Sequence, residues 1–308
     1  HVHLVLENDL NEIDRLGAPG TPGRYDGQWS GDIHHALHVQ LSGERDGYYA
    51  EYPDPVAQLG LALTLGFSRQ GSPHGTPPRR AADRQAPLGA VINMLQTHDQ
   101  IGNRAYGERL LALTSPEATR LAAAIVLLSP SVPMLFMGEE HGATTPFLYF
   151  CDWDGELREA VSAGRRREFE QFPRFADAAR AGRLPDPCNV ESFESSRLDR
   201  SAFASETARR WWRFHADLLA LRARELRPRL DGLAHTGHAA HHRGSLLQVE
   251  WAFDGGRRLR MQVNLAPDDR RIDPADGFAT ARGEPLHAIG DIEAGHFGPW
   301  SGRWEWIA

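Results

Sequence analysis

Two carboxylate-bearing stretches of the sequence each follow an apolar run. Residues 90–95 are apolar apart from one asparagine, and His98-Asp99-Gln100-Ile101-Gly102-Asn103 comes just after them. Residues 1–6 form a second such run, which leads directly into Glu7, Asn8 and Asp9. Short apolar runs bounded by turn residues predict buried strands. Two carboxyl groups brought together at strand ends are what acid-catalysed glycoside hydrolysis requires. The alternative is that Asp99 only caps a helix by accepting backbone N–H groups.

The elements that must position these side chains alternate between strand and helix. The pattern predicts strands at 2–6, 24–29, 90–96 and 132–137, with helices between them and a long helix over 206–226. Residues 68–89 predict a Pro- and Arg-rich loop, and much of 142–205 also predicts loop. The prediction is an α/β fold in which the four strands lie parallel and adjacent, with Glu7 and Asp99 at the same end.

The residues after about 230 have a different pattern. Two strand-like runs, 246–253 and 258–263, are joined by Asp254-Gly255-Gly256, which is a hairpin signal, and 300–307 predicts a last strand. We therefore expect two domains, residues 1–228 and a small antiparallel β domain over 229–308.

Several strings in the first 185 residues resemble the malto-oligosyltrehalose trehalohydrolases, which belong to the α-amylase superfamily of glycoside hydrolases. They are HLVLEND, YDGQW with DIHHALHVQLSGE, HDQIGNRAYGERL, LLSPSVPMLFMGEE and TTPFLYFCD, and they occur in the family's order. One departure is Thr97, where the family usually has asparagine. The resemblance implies strands five to eight of a (β/α)8 TIM barrel, so the chain is interpreted as the C-terminal half of such an enzyme.

The resemblance also implies roles for individual residues. Glu7 would be the acid/base, and Asp99 would be a carboxylate that holds sugar hydroxyls and favours the distorted ring. Substrate contacts are implied for eight further residues: Asp32, His34, His35, His98, Gln100, Ile101, Gly102 and Asn103. The nucleophilic aspartate of the family lies on an earlier strand, which is absent here. Asp199, in Arg197-Leu198-Asp199, follows no apolar strand and is not expected to replace it.

Composition limits the remaining possibilities. The chain has 308 residues and a net charge of −7, which does not favour nucleic acid or an anionic membrane. All 34 residues counted as lysine or arginine are arginine, so a Schiff-base lysine is excluded within this chain. Two cysteines do not make a disulfide framework and favour a reducing, cytoplasmic location. No metal and no cofactor is expected.

The expected partners are maltooligosyl trehalose or a related α-glucan, and the N-terminal half of the same enzyme. One alternative is an α-1,4-glucan branching enzyme or another α-amylase-family hydrolase. A second alternative, of a different class, is a non-catalytic carbohydrate-binding remnant, because the nucleophile strand is not in this chain. Analysis of the reaction products distinguishes the first alternative, and the sequence encoded upstream of His1 bears on the second.

Overall fold

A parallel sheet of four strands organises the first half of the chain. The computed structural model describes residues 2–17, 21–69, 85–172, 174–293 and 295–308. The strands are β1 (Val5–Leu6), β2 (Gly27–Ser30), β3 (Val91–Met94) and β4 (Val132–Met134), and they lie side by side in chain order. Each pairs with the next in parallel register. The predicted parallel arrangement is confirmed, although each strand is shorter than predicted.

Helices follow the strands and pack against the sheet. They are α1 (Gly31–Ser42), α2 (Pro55–Leu65), α3 (His98–Gly102), α4 (Leu110–Leu113) and α5 (Pro116–Leu127). Two of the starts follow from local chemistry, since α2 and α5 both carry proline in their first turn. The side chains of Asp54 and Ser115 accept backbone N–H groups there, each at 3.1 Å. The loop predicted over 68–89 falls mostly on residues 70–84, which lie outside the described residues.

The segment 142–205, predicted to hold much loop, does so, but its described residues also form three helices. They are α6 (Gly155–Glu170), α7 (Ala176–Arg180) and α8 (Val190–Ser196). Helix α6 was not predicted because it buries only Ser162 and Phe169. A helix that buries so few side chains has almost no apolar periodicity in its sequence. The long helix α9 (Glu206–Leu221) continues as a π-helical turn to Leu226, which matches the predicted end.

Arg222, in that π-helical turn, fixes the entry to β4. Its guanidinium donates hydrogen bonds to a row of backbone carbonyls between α5 and β4, those of Leu127, Ser129, Pro130 and Ser131. Burial lowers the pKa of Arg222 to about 10. A single side chain therefore satisfies one carbonyl at the end of α5 and three in the turn that leads to β4.

The last third of the chain is antiparallel β structure. Among the described residues of this part, the strands in chain order are β5 (Ala239–Arg243), β6 (Leu246–Ala252), β7 (Arg258–Asn264), β8 (Arg270–Arg271), β9 (Glu284–Ile289), β10 (Ile292–Glu293), β11 (His296–Phe297) and β12 (Ser301–Ile307). One sheet has the order β5-β6-β7-β12-β9 and the other β10-β11-β8. The predicted hairpin is confirmed as β6 and β7. Strands β5, β8, β9, β10 and β11 were not predicted.

The five-stranded sheet and the helices share a hydrophobic core. Leu59 and Leu63 of α2 lie in the same buried cluster as Val249 and Trp251 of β6. The indole Nε1 of Trp251 donates to the carbonyl of Leu63 at 2.8 Å. A domain boundary near residue 228 therefore stays a prediction, because packing is continuous across it.

The two outer strands of the parallel sheet carry exposed apolar side chains. Val5 of β1 is 44% exposed and Val132 of β4 is 43% exposed, and Leu4 is 54% exposed. Within the described residues each of these strands pairs on one side only. An uncovered apolar strand edge is a surface that favours pairing with a further strand.

Candidate functional site

The carboxyl ends of the four parallel strands lie at one edge of the sheet, and the predicted catalytic residues are there. Glu7 directly follows β1, whose Leu6 is paired with Gln28 of β2. Asp99 lies five residues after Met94, the last residue of β3. Glu7 is exposed, as is Asp99. The expectation that both carboxylates lie at the same end of the sheet is confirmed by the parallel pairing.

His98 and Asp99 form an exposed polar pair at this edge. Their side chains are 52% and 57% exposed, and His98 Nε2 lies 3.3 Å from Asp99 Oδ1. The N-cap of α3 is Thr97, whose hydroxyl accepts the N–H of Gln100. Asp99 is therefore free of the capping role considered from the sequence. Threonine and asparagine are both good N-cap residues, so the departure at Thr97 preserves the cap. The ring of Trp29 stands edge-on to His98, with centroids 6.5 Å apart.

The rest of this segment divides between surface and interior. Asn103 is exposed and Gln100 half-buried, whereas Ile101 and Gly102 are buried. A Cβ atom on Gly102 would lie 3.7 Å from the backbone nitrogen of Tyr149, so a neighbouring segment packs directly on it. His98, Asp99 and Asn103 therefore expose their side chains at this edge, while Ile101 and Gly102 lie inside the loop. The implied sugar contacts stay predictions.

Asp32 lies in the interior rather than at the surface where a sugar would bind. It is 4% exposed, and its carboxylate accepts hydrogen bonds from Tyr52 Oη at 2.6 Å and from the backbone of Ser68 and Arg69 at 2.6 and 3.1 Å. Asn11 Nδ2 donates at 3.4 Å. Burial raises the pKa of Asp32, and these hydrogen bonds oppose that shift. The Asp32 carboxylate thus faces interior partners among the described residues, and the implied sugar contact stays a prediction.

His34 is equally enclosed, and His35 is partly enclosed. His34 is 3% exposed; its Nδ1 bonds to the carbonyl of Leu95 and its Nε2 lies 3.2 Å from Tyr49 Oη. His35 stacks on Tyr52, with centroids 5.1 Å apart. Burial lowers the pKa of His35 to about 4 and that of His34 well below its usual range. His34 therefore links α1 to the end of β3, and of the pair only His35 retains surface for a ligand.

Arg165 of α6 holds the loop that carries Asp99, and it was missed in the sequence. Its guanidinium donates to the carbonyls of Gly102 at 2.6 Å and Arg104 at 3.0 Å. It also packs over the rings of Tyr149 and Phe169, at 5.6 and 4.5 Å from their centroids. In the sequence it appears only as the first member of a basic run, and no local pattern shows which arginine turns inward.

A second clamp acts on the same loop through Glu44. Arg104 donates to both carboxylate oxygens of Glu44, at 2.7 and 3.0 Å, and to Glu108 at 3.1 Å. His38 and Arg174 also bond to Glu44, at 2.8 and 2.7 Å. Burial alone would raise the pKa of Glu44, but the hydrogen bonds from His38 and Arg104 hold it well below its usual range. A bidentate arginine–carboxylate pair fixes the relative orientation of its two side chains. Glu44, which follows α1, therefore holds this loop in position.

Glu139 is a buried carboxyl group at the same edge, after β4. It is 7% exposed and accepts the backbone N–H of Phe136 at 3.3 Å. Burial raises its pKa to about 7, opposed by that hydrogen bond and by the charge of Arg109. Arg109 donates to the carbonyls of Met137 and Thr145, at 2.9 and 2.6 Å. The Glu139 side chain therefore faces the interior, where it is bonded to the backbone that follows β4.

Two further features bear on what this edge can do. Among the described residues, no group of three or more His, Cys, Asp or Glu side chains is arranged to hold a metal ion. In the same part of the chain, no helix has both the length and the apolar character needed to cross a bilayer.

Asp199 is the N-cap of a short 3₁₀ turn, and its carboxylate accepts a hydrogen bond from the Ser201 hydroxyl at 2.6 Å. In the described sequence it does not follow a strand.

Curated relatives of the chain share one name. No protein-family model matches the sequence. The malto-oligosyltrehalose trehalohydrolase of Brevibacterium helvolum is 37% identical over 304 residues, which are 92% of this chain and 48% of that protein. The enzyme of that name from Rhizobium sp. (strain M-11) is 40% identical over 229 residues, 71% of this chain and 37% of the relative. The chain thus spans about half the length of the first of these relatives and less of the second.

Solved structures support the same relationship. A crystal structure titled as a putative alpha amylase from Salmonella typhimurium matches with a TM-score of 0.86 and 32% identity, covering 99% of this chain and 51% of that one. A cyclic maltosyl-maltose hydrolase from Arthrobacter globiformis, at 13% identity and a TM-score of 0.52, shares the fold alone. Over most of its own length the chain is therefore similar to malto-oligosyltrehalose trehalohydrolases and to an α-amylase-family structure, and it spans about half of the length of the first of these relatives.

Proposed function

We propose that this chain is the acid/base-bearing part of a retaining α-glycosidase that acts on maltooligosyl trehalose and releases trehalose. One observation carries the proposal. Glu7 and Asp99 follow β1 and β3 at the same edge of one parallel sheet, with β2 between them, in a chain that is 37% identical, over 92% of its length, to a malto-oligosyltrehalose trehalohydrolase.

The proposed chemistry begins with a proton on the Glu7 carboxyl. Glu7 gives that proton to the glycosidic oxygen as the bond to the anomeric carbon breaks, and in the second step it takes a proton from the attacking water. Asp99 and His98 accept and donate hydrogen bonds to the hydroxyls of the same sugar. The charge on Asp99 also favours the oxocarbenium-like ring, in which positive charge develops. Trp29, beside His98, offers an aromatic face for a pyranose.

A retaining mechanism also needs a nucleophile about 5–5.5 Å from the acid/base. We assign it to a partner segment that contributes the remaining barrel strands, with β1 to β4 as strands five to eight. Two observations support this assignment. The relatives are about twice as long as the chain, and the outer strands expose Val5 and Val132. The division at residues 228/229 belongs to the same proposal. Residues 1–308 alone are expected not to turn over substrate.

A second candidate is an α-glucan hydrolase with a different product. The protein from Salmonella typhimurium, which is 32% identical and is described as an alpha amylase, favours this candidate. The two candidates share the acid/base and differ in the sugar held beyond the cleavage point. They are therefore distinguished by the product released from one substrate.

The test joins residues 1–308 to the N-terminal half of the Brevibacterium helvolum relative. The joined protein and residues 1–308 alone are each incubated with maltooligosyl trehalose, and products are separated by chromatography. We expect trehalose from the joined protein only, and its loss in the Glu7→Gln variant. Trehalose release by residues 1–308 alone, abolished by Asp199→Ala, would show that this chain has its own nucleophile. Maltose without trehalose would favour the second candidate.

A further inference from the structure

The two cysteines of the chain, 37 residues apart, lie in contact. Their Sγ atoms are 3.5 Å apart. Cys151 is half-buried and Cys188 is buried, and neither is in a disulfide. The backbone N–H of Cys151 donates to the carbonyl of Pro187 at 2.9 Å. The contact therefore involves the backbones as well as the thiols.

Cys188 is held in place by polar contacts on its own side. Its backbone N–H donates to Asp186 Oδ1 at 2.9 Å, and Ser162 of α6 donates to the same oxygen at 2.6 Å. Ser192 of α8 donates to the carbonyl of Asp186 at 2.6 Å. A thiol fixed in this way meets its partner without first ordering a loop, which removes part of the entropy cost of closing the pair.

Closing the pair requires only a small movement. A disulfide has an S–S length of about 2.05 Å, so the sulfur atoms must approach by roughly 1.5 Å from their contact distance. Because the two segments are already joined by a backbone hydrogen bond, side-chain rotation with slight backbone adjustment suffices.

Residues 145–151 form the segment that ends at Cys151. This segment packs on the loop that carries Asp99. Phe147 donates its N–H to the carbonyl of Gly107 at 2.9 Å. A Cβ atom on Gly107 would come within 2.6 Å of the carbonyl oxygen of Phe147, so the two backbones are in direct contact. Leu148 N–H donates to Ser196 Oγ of α8 at 2.9 Å. A bond that restrains residue 151 therefore also limits the movement of residues 145–151 over residues 98–109.

We propose that Cys151 and Cys188 form a redox-responsive pair that closes into an intrachain disulfide by exchange with a low-molecular-weight disulfide, and that closure stiffens residues 145–151 against residues 98–109. In the first step the Cys151 thiolate attacks the small disulfide, which releases one small thiol and leaves a mixed disulfide on Cys151. In the second step the Cys188 thiolate attacks Cys151 Sγ and releases the second small thiol. Two protein thiols are oxidised and one small disulfide is reduced.

The environment of Cys151 predicts how fast closure proceeds. Burial, together with the neighbouring Cys188 thiol, raises the pKa of the Cys151 thiol to about 11. The thiolate is the attacking species, so closure is slow at neutral pH. Its rate should rise about tenfold for each pH unit between 7 and 9, because the thiolate fraction rises by that factor.

The first experiment treats residues 1–308 with oxidised glutathione and follows free thiols, intact mass and non-reducing peptide maps. We expect both thiols to be lost with a mass decrease of about 2 Da, the loss of two hydrogens, and a peptide linking residues 151 and 188 in a monomer. The matched variants separate the two steps. The Cys188→Ser variant should stop at the mixed disulfide, with one glutathione on Cys151. The Cys151→Ser variant should keep the free thiol of Cys188. A stable glutathione adduct on wild-type Cys151, or a disulfide-linked dimer, would overturn the proposal.

The second experiment measures amide hydrogen exchange before and after closure. Exchange in residues 145–151 and 98–109 should slow several-fold in the closed form and return on reduction, while the β6–β7 hairpin serves as the internal control. Unchanged exchange in both segments would overturn the stiffening. Neither experiment depends on catalysis, so failure of the proposed glycosidase function leaves this result interpretable.

Discussion

Replacement of Glu139 by glutamine is expected to remove most of a pH dependence in the stability of this chain. The carboxyl group is 7% exposed, and burial raises its pKa from 4.5 to about 7. In the unfolded chain the group is solvated and its pKa returns to the ordinary value. The folded state therefore holds a proton that the unfolded state releases between these two values.

The direction and size of the effect follow from this difference. The stability that Glu139 contributes is fully present below about pH 4.5 and is lost as the pH rises through about 7. A tenfold change in proton affinity corresponds to about 1.4 kcal/mol. Between pH 5 and 8 the wild-type free energy of unfolding should therefore fall by about 2.5 kcal/mol more than that of the Glu139→Gln variant.

The assay is urea unfolding followed by tryptophan fluorescence at a series of pH values. The comparison uses the slope of the free energy of unfolding against pH rather than its value at one pH. Any pH-independent cost of placing the glutamine amide at residue 139 then cancels. Glu140→Gln, in the same 3₁₀ turn, controls for the loss of one negative charge. Parallel pH profiles for wild type and Glu139→Gln would refute the reasoning, because they would mean that Glu139 is ionised in the folded state at all these pH values.

Three further predictions concern named contacts. In an active joined enzyme, Glu7→Gln should slow glycosylation by the natural substrate about 10²–10⁴-fold but should change glycosylation by an activated fluoride glycoside little, whereas Asp99→Asn should slow glycosylation by both substrates. The rates are measured by pre-steady-state kinetics. Equal losses of rate on the two substrates for Glu7→Gln would show that Glu7 is not the acid. Arg165→Met should speed hydrogen exchange in residues 98–109, while Arg167→Met, exposed on the same helix, should not. Arg222→Met leaves buried carbonyls unpaired and should lower the free energy of unfolding by about 3 kcal/mol or more; a loss below about 1 kcal/mol would contradict the clamp.

Much of the framework was predictable because its signals are local. The run before Asp99 is a short apolar stretch bounded by turn residues, and it forms β3. Ser115 followed by Pro116 starts α5 as expected from capping chemistry. Asp254-Gly255-Gly256 turns the β6–β7 hairpin. Each of these signals needs only residues that are close in the sequence.

Other elements could not be predicted from local patterns. Helix α6 buries few side chains, so its sequence lacks apolar periodicity. Strand β5 reads Ala239-Ala240-His241-His242-Arg243, and its residues are mostly exposed. It is a strand because β6 offers it a hydrogen-bonding edge. Pairing with a distant partner overrode local propensity there.

For the candidate site, the sequence by itself determined which residue types follow the strand ends, since each strand end has a local pattern. It therefore placed Glu7 and Asp99 correctly at one edge. Only the tertiary structure decided which polar side chains face outward. Asp32 and His34 turn inward because Tyr52 and the carbonyl of Leu95 offer partners there. Arg165 reaches the carbonyls of Gly102 and Arg104 from more than 60 residues away in sequence. A buried polar group needs a hydrogen-bonding partner, and where that partner lies depends on the whole packed chain.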